Sequence, residues 1–502
     1  MWSSQKIRRR LQPCEGIAVH GWSHGLSDIR PPTSGPVTHR IAKWLSVVLL
    51  VAAACDSPTS PQPDFNGNQF PYKLSSTGVR MFGTSRLLVI AARFSDGAPA
   101  PLTTSVLQSQ LFGGCTGGPV AESFALASDG GFTLRGRVTS WVTTDVTVEG
   151  FSQSGASGTP SGLTRYITDA IRLVNGEVDF GLYDNDGPDG FPNSGDDDGV
   201  VDGGIAIFNS EKNRYCDGGT GRGPHPFALT RLPVGNRYHT NDAGKNGGDI
   251  EVAGFTLLSA TGCGGPNVGA HVLAHELGHV LFGLPDLYHV VTSGIEAWTT
   301  RRWVLGCWEL MAGGAWGCGA GAPTLDYRFN TFGAWARSAM GWVTPTAADP
   351  TRDATYDLNP LGRGGSVLLV PITPREYLLV EYRETAPGDS KLPANGVLIV
   401  HVAEDLPVFP SSLQSPYRVS LIEADDDSTL LRTEPQGGNR GTPSDAFGIT
   451  RTTFRPGEHS RAKGVDGVAF PFEITGITID AVAHRARVRI SPILAARQAG
   501  TR

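Results

Sequence analysis

Residues 270–290 read AHVLAHELGHVLFGLPDLYHV. His275 and His279 stand four apart, so on a helix both imidazoles rise from one face and can reach a single ion. Glu276 lies one residue round. It is too short and misdirected to share that ion, but it is placed to take a proton from water beside it. An H-E-x-x-H string alone arises in on the order of one per cent of chains of this composition, so it leaves an ordinary buried helix open. The next residues decide. Gly283 can stop the helix and turn the chain back, and Asp286 then returns a carboxylate towards the ion as third ligand. A fourth position stays open, as catalytic zinc requires. Asn267, after Gly264-Gly265-Pro266, is expected to cap this helix. His271, one turn before His275, reads as structural.

The 502 residues are enough for a sizeable core and at least one appended module. A net charge of −6, with no stripe of basic residues, gives no reason to expect a nucleic-acid partner. The 65 glycines fit a chain rich in turns. A monomer is expected.

THRIAKWLSVVLLVAAACDSP places Arg40 and Lys43 before an apolar run, Trp44–Ala54, that ends in small residues at Cys55. That run is about half of the ~20 residues needed to cross a bilayer, so 37–55 reads as a signal peptide. VAAAC resembles a bacterial lipobox, in which Cys55 is acylated and opens the mature chain; Ala52 stands where leucine is commoner. The alternative is a secreted protein cleaved near Ala54. Either way the protein is exported, and the first reading makes it a cell-envelope lipoprotein held to a membrane by its N-terminal lipid. Residues 1–36 fit neither reading, and we expect translation to begin at Val37; precursor peptides from 1–36 would overturn this. Five cysteines remain beyond Cys14 and Cys55, permitting two disulfides and one odd thiol. Cys307 and Cys318, which bracket WELMAGGAWG, are the expected pair.

Residues 56–80 are rich in Pro, Ser, Asn and Gly and read as a linker. From there RLLVIAARF reads as a buried strand, GFTLRGRVTSWVTTDVTV as an antiparallel pair, LTRYITDAIRLV as a helix and GGIAIFN as a strand. With helices near 268–282 and 326–341, residues 81–346 read as an α+β catalytic domain. Beyond it SVLLVPI, REYLLVEYRE, GVLIVHVAE, YRVSLIEA and HRARVRISPI are short strands between turns. Residues 347–494 therefore read as a β-rich, sandwich-like domain packed on the first. DNDGPDGFPNSGDDDGVVD crowds Asp184, Asp186, Asp189, Asp196, Asp197, Asp198 and Asp202 together. Asp and Asn alternating with glycine turns is what an oxygen-lined calcium loop needs, and calcium is the expected structural ion. ADDDS at 424–428 reads as a solvated turn. The tryptophans of 298–342 read as core packing, and Tyr288 as packing beside the metal.

HELGHVLFGLPDLY resembles the H-E-x-x-H-x-x-G-x-P-D-L-Y signature of the M6 peptidases, the immune-inhibitor-A-like zinc metalloproteases. CWELMAGGAWG is similar to that family's W-D-L-M-G-S-G-S-W stretch, FGAWARSAMGWVTP to its Trp-bearing helix, and YDNDGPDGFPNSGDDDGVVDGGIAIF to its acidic loop. EYLLVEYRE, LPANGVLIVHVAED and VSLIEADDDSTL resemble its β-rich part. Together these cover roughly 85–490. The resemblance implies a zincin-like fold, zinc on His275, His279 and Asp286, and Met311 as the Met-turn residue beneath it. One departure is an extra residue, Phe282, between the second histidine and Gly283, which leaves His289, Glu296 and Glu309 as other candidates for third ligand. A second is Glu309 where the family has aspartate.

The reading is an exported zinc endopeptidase that hydrolyses peptide bonds of extracellular proteins and peptides, with Glu276 as general base. The alternative is a catalytically inactive relative acting as a surface binding lipoprotein; a pseudo-enzyme would have no need of Glu276.

Overall fold

Leu87, Val89 and Ala91 face one hydrophobic core, while Leu88, Ile90 and Ala92 face another. The expected strand is therefore buried on both sides, which is why its apolar run does not alternate. It is β1 (Gly83–Arg93) of a six-stranded sheet. The computed structural model describes residues 79–493 except 114–118, 153–160, 213–222, 225–226, 230–231, 233, 263–264, 266–269, 292–297, 324–329 and 411–415, with short pieces at 64–65, 68–69 and 74. Residues 1–36, the leader with Cys55, most of the linker, Asn267, Glu296, Cys115, Cys216 and Cys263 lie outside the described residues.

Helix α1 (Thr104–Phe112), α2 (Pro119–Ala127), β2 (Phe132–Val138), β3 (Val142–Thr143) and α3 (Gly162–Val174) follow. Next come β4 (Ile205–Lys212), β5 (Phe227–Leu229), β6 (Phe255–Thr261), α4 (Ala270–Phe282) and the short antiparallel pair β7 (His289–Val290) and β8 (Arg301–Arg302). The strand order is β2-β1-β4-β6-β5, with β3 also on β1; only β5 runs antiparallel to its neighbour. This corrects the antiparallel pair expected over 131–148: β2 and β3 both pair parallel to β1 and not with each other. Their alternation records one buried and one wet face, which any pairing partner would produce. Helix α3 covers the face with Leu88 and Ile90, and α1, α2 and α4 cover the other.

The C-terminal half carries β11 (Val367–Thr373), β12 (Glu376–Arg383), β13 (Gly396–Ala403) and β14 (Val419–Ile422) in one antiparallel run, edged by the short parallel β9 (Thr346–Ala347). A second sheet has the order β10 (Ala354–Leu358), β16 (Arg485–Pro492), β15 (Phe472–Asp480). Leu368, Val370, Leu378 and Ile399 share a core with Ile474, Val488 and Ile490 of that second sheet. Leu369, Leu379, Val400 and Leu421 face the other way, into the core that contains α4. The larger sheet is thus apolar on both faces, and residues Ser60–Arg502 form one compact unit. Cys307 and Cys318 are joined in a disulfide, as their spacing suggests.

Candidate metal centre

Helix α4 is buried along almost its whole length, from Ala270 to Phe282. Its apolar side chains Val272, Leu273, Leu277, Val280 and Leu281 hold it in the core and leave the face with His275 and His279 towards the chain that returns after Gly283. Gly283 has φ 67°, a left-handed conformation that glycine adopts without strain, and its N–H bonds His279 O at 2.9 Å. Leu284 N–H reaches back to Gly278 O at 3.1 Å. The additional residue, Phe282, goes into an aromatic cluster, with ring centroids 5.5 Å from Phe124, 5.2 Å from Phe132 and 5.0 Å from Trp342. It lengthens the exit from the helix without displacing Asp286.

Asp286 Oδ1 lies 3.1 Å from His275 Nε2 and 3.3 Å from His279 Nε2. His275 Nδ1 contacts Leu310 O at 2.9 Å, and His279 Nδ1 contacts Leu284 O at 2.6 Å. A carbonyl can only accept, so both Nδ1 atoms carry the proton and both neutral rings present bare Nε2 lone pairs to a carboxylate. Three acceptors converging in this way need a proton or a cation among them. With protons alone, burial pushes the His279 imidazole down but Asp286 more than reverses it, holding His279 up at about 9. For Asp286, burial acts upward, yet the two imidazoles hold it well below the usual carboxylate range. Two imidazoles and one carboxylate, oriented by backbone carbonyls, are the donor set of a catalytic zinc.

Of the rival ligands, His289 turns its Nδ1 to Tyr417 OH at 3.0 Å. Glu309 accepts the N–H groups of Met311 at 3.2 Å and Gly333 at 2.7 Å. Neither belongs to the convergent trio, nor does buried His271. The longer Glu309 side chain spans both N–H groups, and burial pushes its carboxyl up to about 7. Met311 sits under α4: a Cβ at Gly278 would run into its sulfur. The Gly278→Ala variant is therefore expected to lose about 1–3 kcal/mol of stability, read from its urea midpoint, because the helix and the turn cannot both keep their places. Met311 O also accepts Leu287 N–H at 2.7 Å, tying the Asp286 segment to the same turn.

Glu276 is buried beside the trio at 7% exposure and does not join it. Burial raises its carboxyl, partly offset by His275, His279 and Arg301. Arg301 is a residue beside the site that the sequence does not signal. It is buried, its Nε and Nη1 have no hydrogen-bond partner, and its guanidinium lies 4.3 Å from the Tyr288 ring and 4.7 Å from Trp316. Tyr288 in turn stacks on His275 with centroids 6.0 Å apart. The aromatic faces hold the cation, and the cation favours an ionised Glu276.

The acidic loop divides. Asp184, Asp186 and Asp202 bring carboxylate oxygens within 4.8 Å of one another. Asp184 Oδ1, Asp202 Oδ1 and the neighbouring Asn185 Oδ1 are buried without a hydrogen-bond partner. Burial pushes Asp184 up to about 7 and Asp202 up to about 9, with neighbouring aspartates adding to both shifts. Asp189, Asp196 and Asp198 are not brought to this group; they lie on the exposed rim, where Asp189 and Asp198 accept N–H groups of Phe191 and Val200. Asp197 is buried, but both its oxygens accept backbone N–H groups, of Gly187 and Ser194.

Residues 117–343, which contain the acidic loop, α4 and the Met311 turn, match the family described as immune inhibitor A peptidase M6, catalytic domain. Those residues are thus similar to an M6 peptidase catalytic domain. Over 211 residues the chain is 27% identical to immune inhibitor A of Bacillus thuringiensis subsp. alesti, covering 38% of this chain and 27% of that protein. The chain thus spans about a quarter of the length of the curated relative it matches. What those residues are similar to is a metallopeptidase catalytic domain, and helix α4 is where a metal has a donor set.

Proposed function

We propose that the chain is an exported zinc endopeptidase that hydrolyses peptide bonds of extracellular proteins. Its catalytic region, 81–346, is zincin-like and is backed by a β-rich sandwich, 347–494. The observation that carries the reading is the convergence of His275 Nε2, His279 Nε2 and Asp286 Oδ1, with both Nδ1 atoms engaged by backbone carbonyls. Zinc held there supplies Lewis acidity, which acidifies water and polarises a peptide carbonyl. Glu276 accepts the proton of the attacking water and returns it to the nitrogen of the leaving amine. Burial raises its carboxyl and so makes it a better base than a solvated carboxylate, with Arg301 partly offsetting the rise. Leu310 O and Leu284 O hold the two rings in the tautomer that binds metal. Asp184, Asp186 and Asp202 take a structural calcium, the role that their orphaned oxygens favour.

The test is zinc content together with cleavage of an unfolded protein by the purified chain. The wild type is expected to hold about one zinc and to cleave, and His279→Ala to do neither. Zinc without cleavage in the wild type would favour a surface binding protein, and a folded wild type without zinc would sink the proposal. Export as a lipoprotein rests on residues 37–55. Fatty-acid label on the wild type that Cys55→Ala lacks would support it; an unlabelled mature chain beginning near Ala54 would replace it with plain secretion.

A further inference from the structure

ADDDS at 424–428, read as a solvated turn, is half-buried to exposed at its aspartates, but the carboxylate just before it, Glu423, is 3% exposed and lies inside the protein. Asp445, on a different turn, is fully buried. One carboxylate oxygen from each of Glu423, half-buried Asp425 and Asp445 lies within 4.8 Å of the others. Glu423 Oε2 accepts Thr429 Oγ1 at 3.0 Å and Leu430 N–H at 3.2 Å, while its Oε1 is buried with no hydrogen-bond partner. Asp445 Oδ2 accepts Trp308 Nε1 at 3.0 Å and Thr442 N–H at 2.9 Å, and its Oδ1 accepts Thr442 Oγ1 at 3.0 Å.

Among the described residues no basic side chain forms an ion pair with the trio, although Arg461 lies near enough to Glu423 for the two charges to attract. Arg461 donates to Ser420 Oγ at 2.7 Å. His459 meets the Glu423 carbonyl, not its carboxylate, at 2.8 Å, and lies 3.4 Å from Asp426. Burial pushes Glu423 up to about 8, with Asp445 and Asp427 adding to the shift, and pushes Asp445 up to about 6. Carboxylates packed this closely, two of them buried and none in an ion pair among the described residues, are stabilised by a hard cation, and oxygen-only donors suit calcium better than zinc.

We propose that Glu423, Asp425 and Asp445 form a binding site for a hard divalent cation of the calcium class, separate from the catalytic centre. The ion would fasten the end of β14 to the Thr442–Asp445 turn. Asp445 holds the Trp308 indole, and Trp308 immediately precedes Glu309-Leu310-Met311, whose Leu310 O orients His275. This cation would therefore brace the turn that floors the metal centre. The site does not depend on the peptidase reading, since it is read by cation binding.

Terbium, a luminescent stand-in for calcium, tests it on the zinc-loaded full chain carrying Asp186→Asn, so that the acidic loop contributes little. Trp308 stands close enough to sensitise an ion at this site. Tryptophan-excited emission that calcium displaces is expected, and Asp425→Asn is expected to weaken calcium by about ten-fold or more. Glu423→Gln should weaken it further. Asp425 is only half-buried, so its variant is expected to fold even if the Glu423 variant does not. Absence of sensitised emission, or an unchanged calcium affinity in folded Asp425→Asn, would overturn the proposal.

Discussion

The Glu276→Gln variant is expected to cleave peptide bonds about 10²–10⁴-fold more slowly in kcat/KM than the wild type while holding the same amount of zinc. Glutamine keeps the volume of the side chain and removes its ability to take a proton. Glu276 follows His275 on α4 but lies outside the ligand trio, so the metal loses no donor. It is buried, so no solvent carboxylate replaces it. Burial raises its carboxyl, which makes it a stronger base than a solvated one, and the Arg301 cation partly offsets that rise. The measurement is steady-state cleavage of a protein substrate beside zinc analysis of both proteins. Loss of zinc in the variant would make Glu276 a ligand and not a base. Equal cleavage would remove it from the chemistry altogether.

The histidine pair was legible because a helix of 3.6 residues per turn places positions four apart on one face whatever surrounds it. Asp286 was less so, because Phe282 changes the count. Only the aromatic cluster of Phe124, Phe132 and Trp342 explains how an added residue is absorbed without moving the ligand. The C-terminal strands were legible as unbroken apolar runs, and the structure supplies the reason in a sheet buried on both faces. Pairing of β2 and β3 was not legible, since alternation carries no information about a partner far along the chain. Charge density located the acidic loop but could not tell Asp184 and Asp202, which are buried, from Asp189 and Asp196 on the rim. The same local view read 424–428 as a solvated turn and had no means of pairing its neighbour Glu423 with Asp445. Glu423 and Asp445 meet only in the folded chain, as do Arg301 and its aromatic ring partners.

Arg383→Leu is expected to cost about 3–5 kcal/mol of stability, because it strands buried negative charge in the wall behind the metal centre. Arg383 is fully buried at the end of β12. Its Nη2 and Nε bind Asp389 at 2.6 and 3.3 Å, its Nη1 donates to Trp308 O at 2.7 Å, and Glu381 lies 3.8 Å away. Asp389 is itself fixed by Thr331 N–H at 3.0 Å, so it cannot swing out to water when the arginine is gone. Removing both partners is a different experiment. An Arg383→Leu/Asp389→Leu double variant leaves much less uncompensated charge and is expected to recover a large part of the loss, since a buried pair and an apolar replacement of similar volume are often comparable in energy. Urea midpoints at unchanged m-value give both numbers and their coupling. A single-variant loss below about 1 kcal/mol would mean that the pair behaves like one in solvent, against its burial. The bond to Trp308 O adds a second consequence. Two residues further on, Leu310 O holds the His275 ring, so the single variant should also bind zinc less tightly than the wild type, whereas Gly278→Ala perturbs the same turn from the opposite side, through Met311.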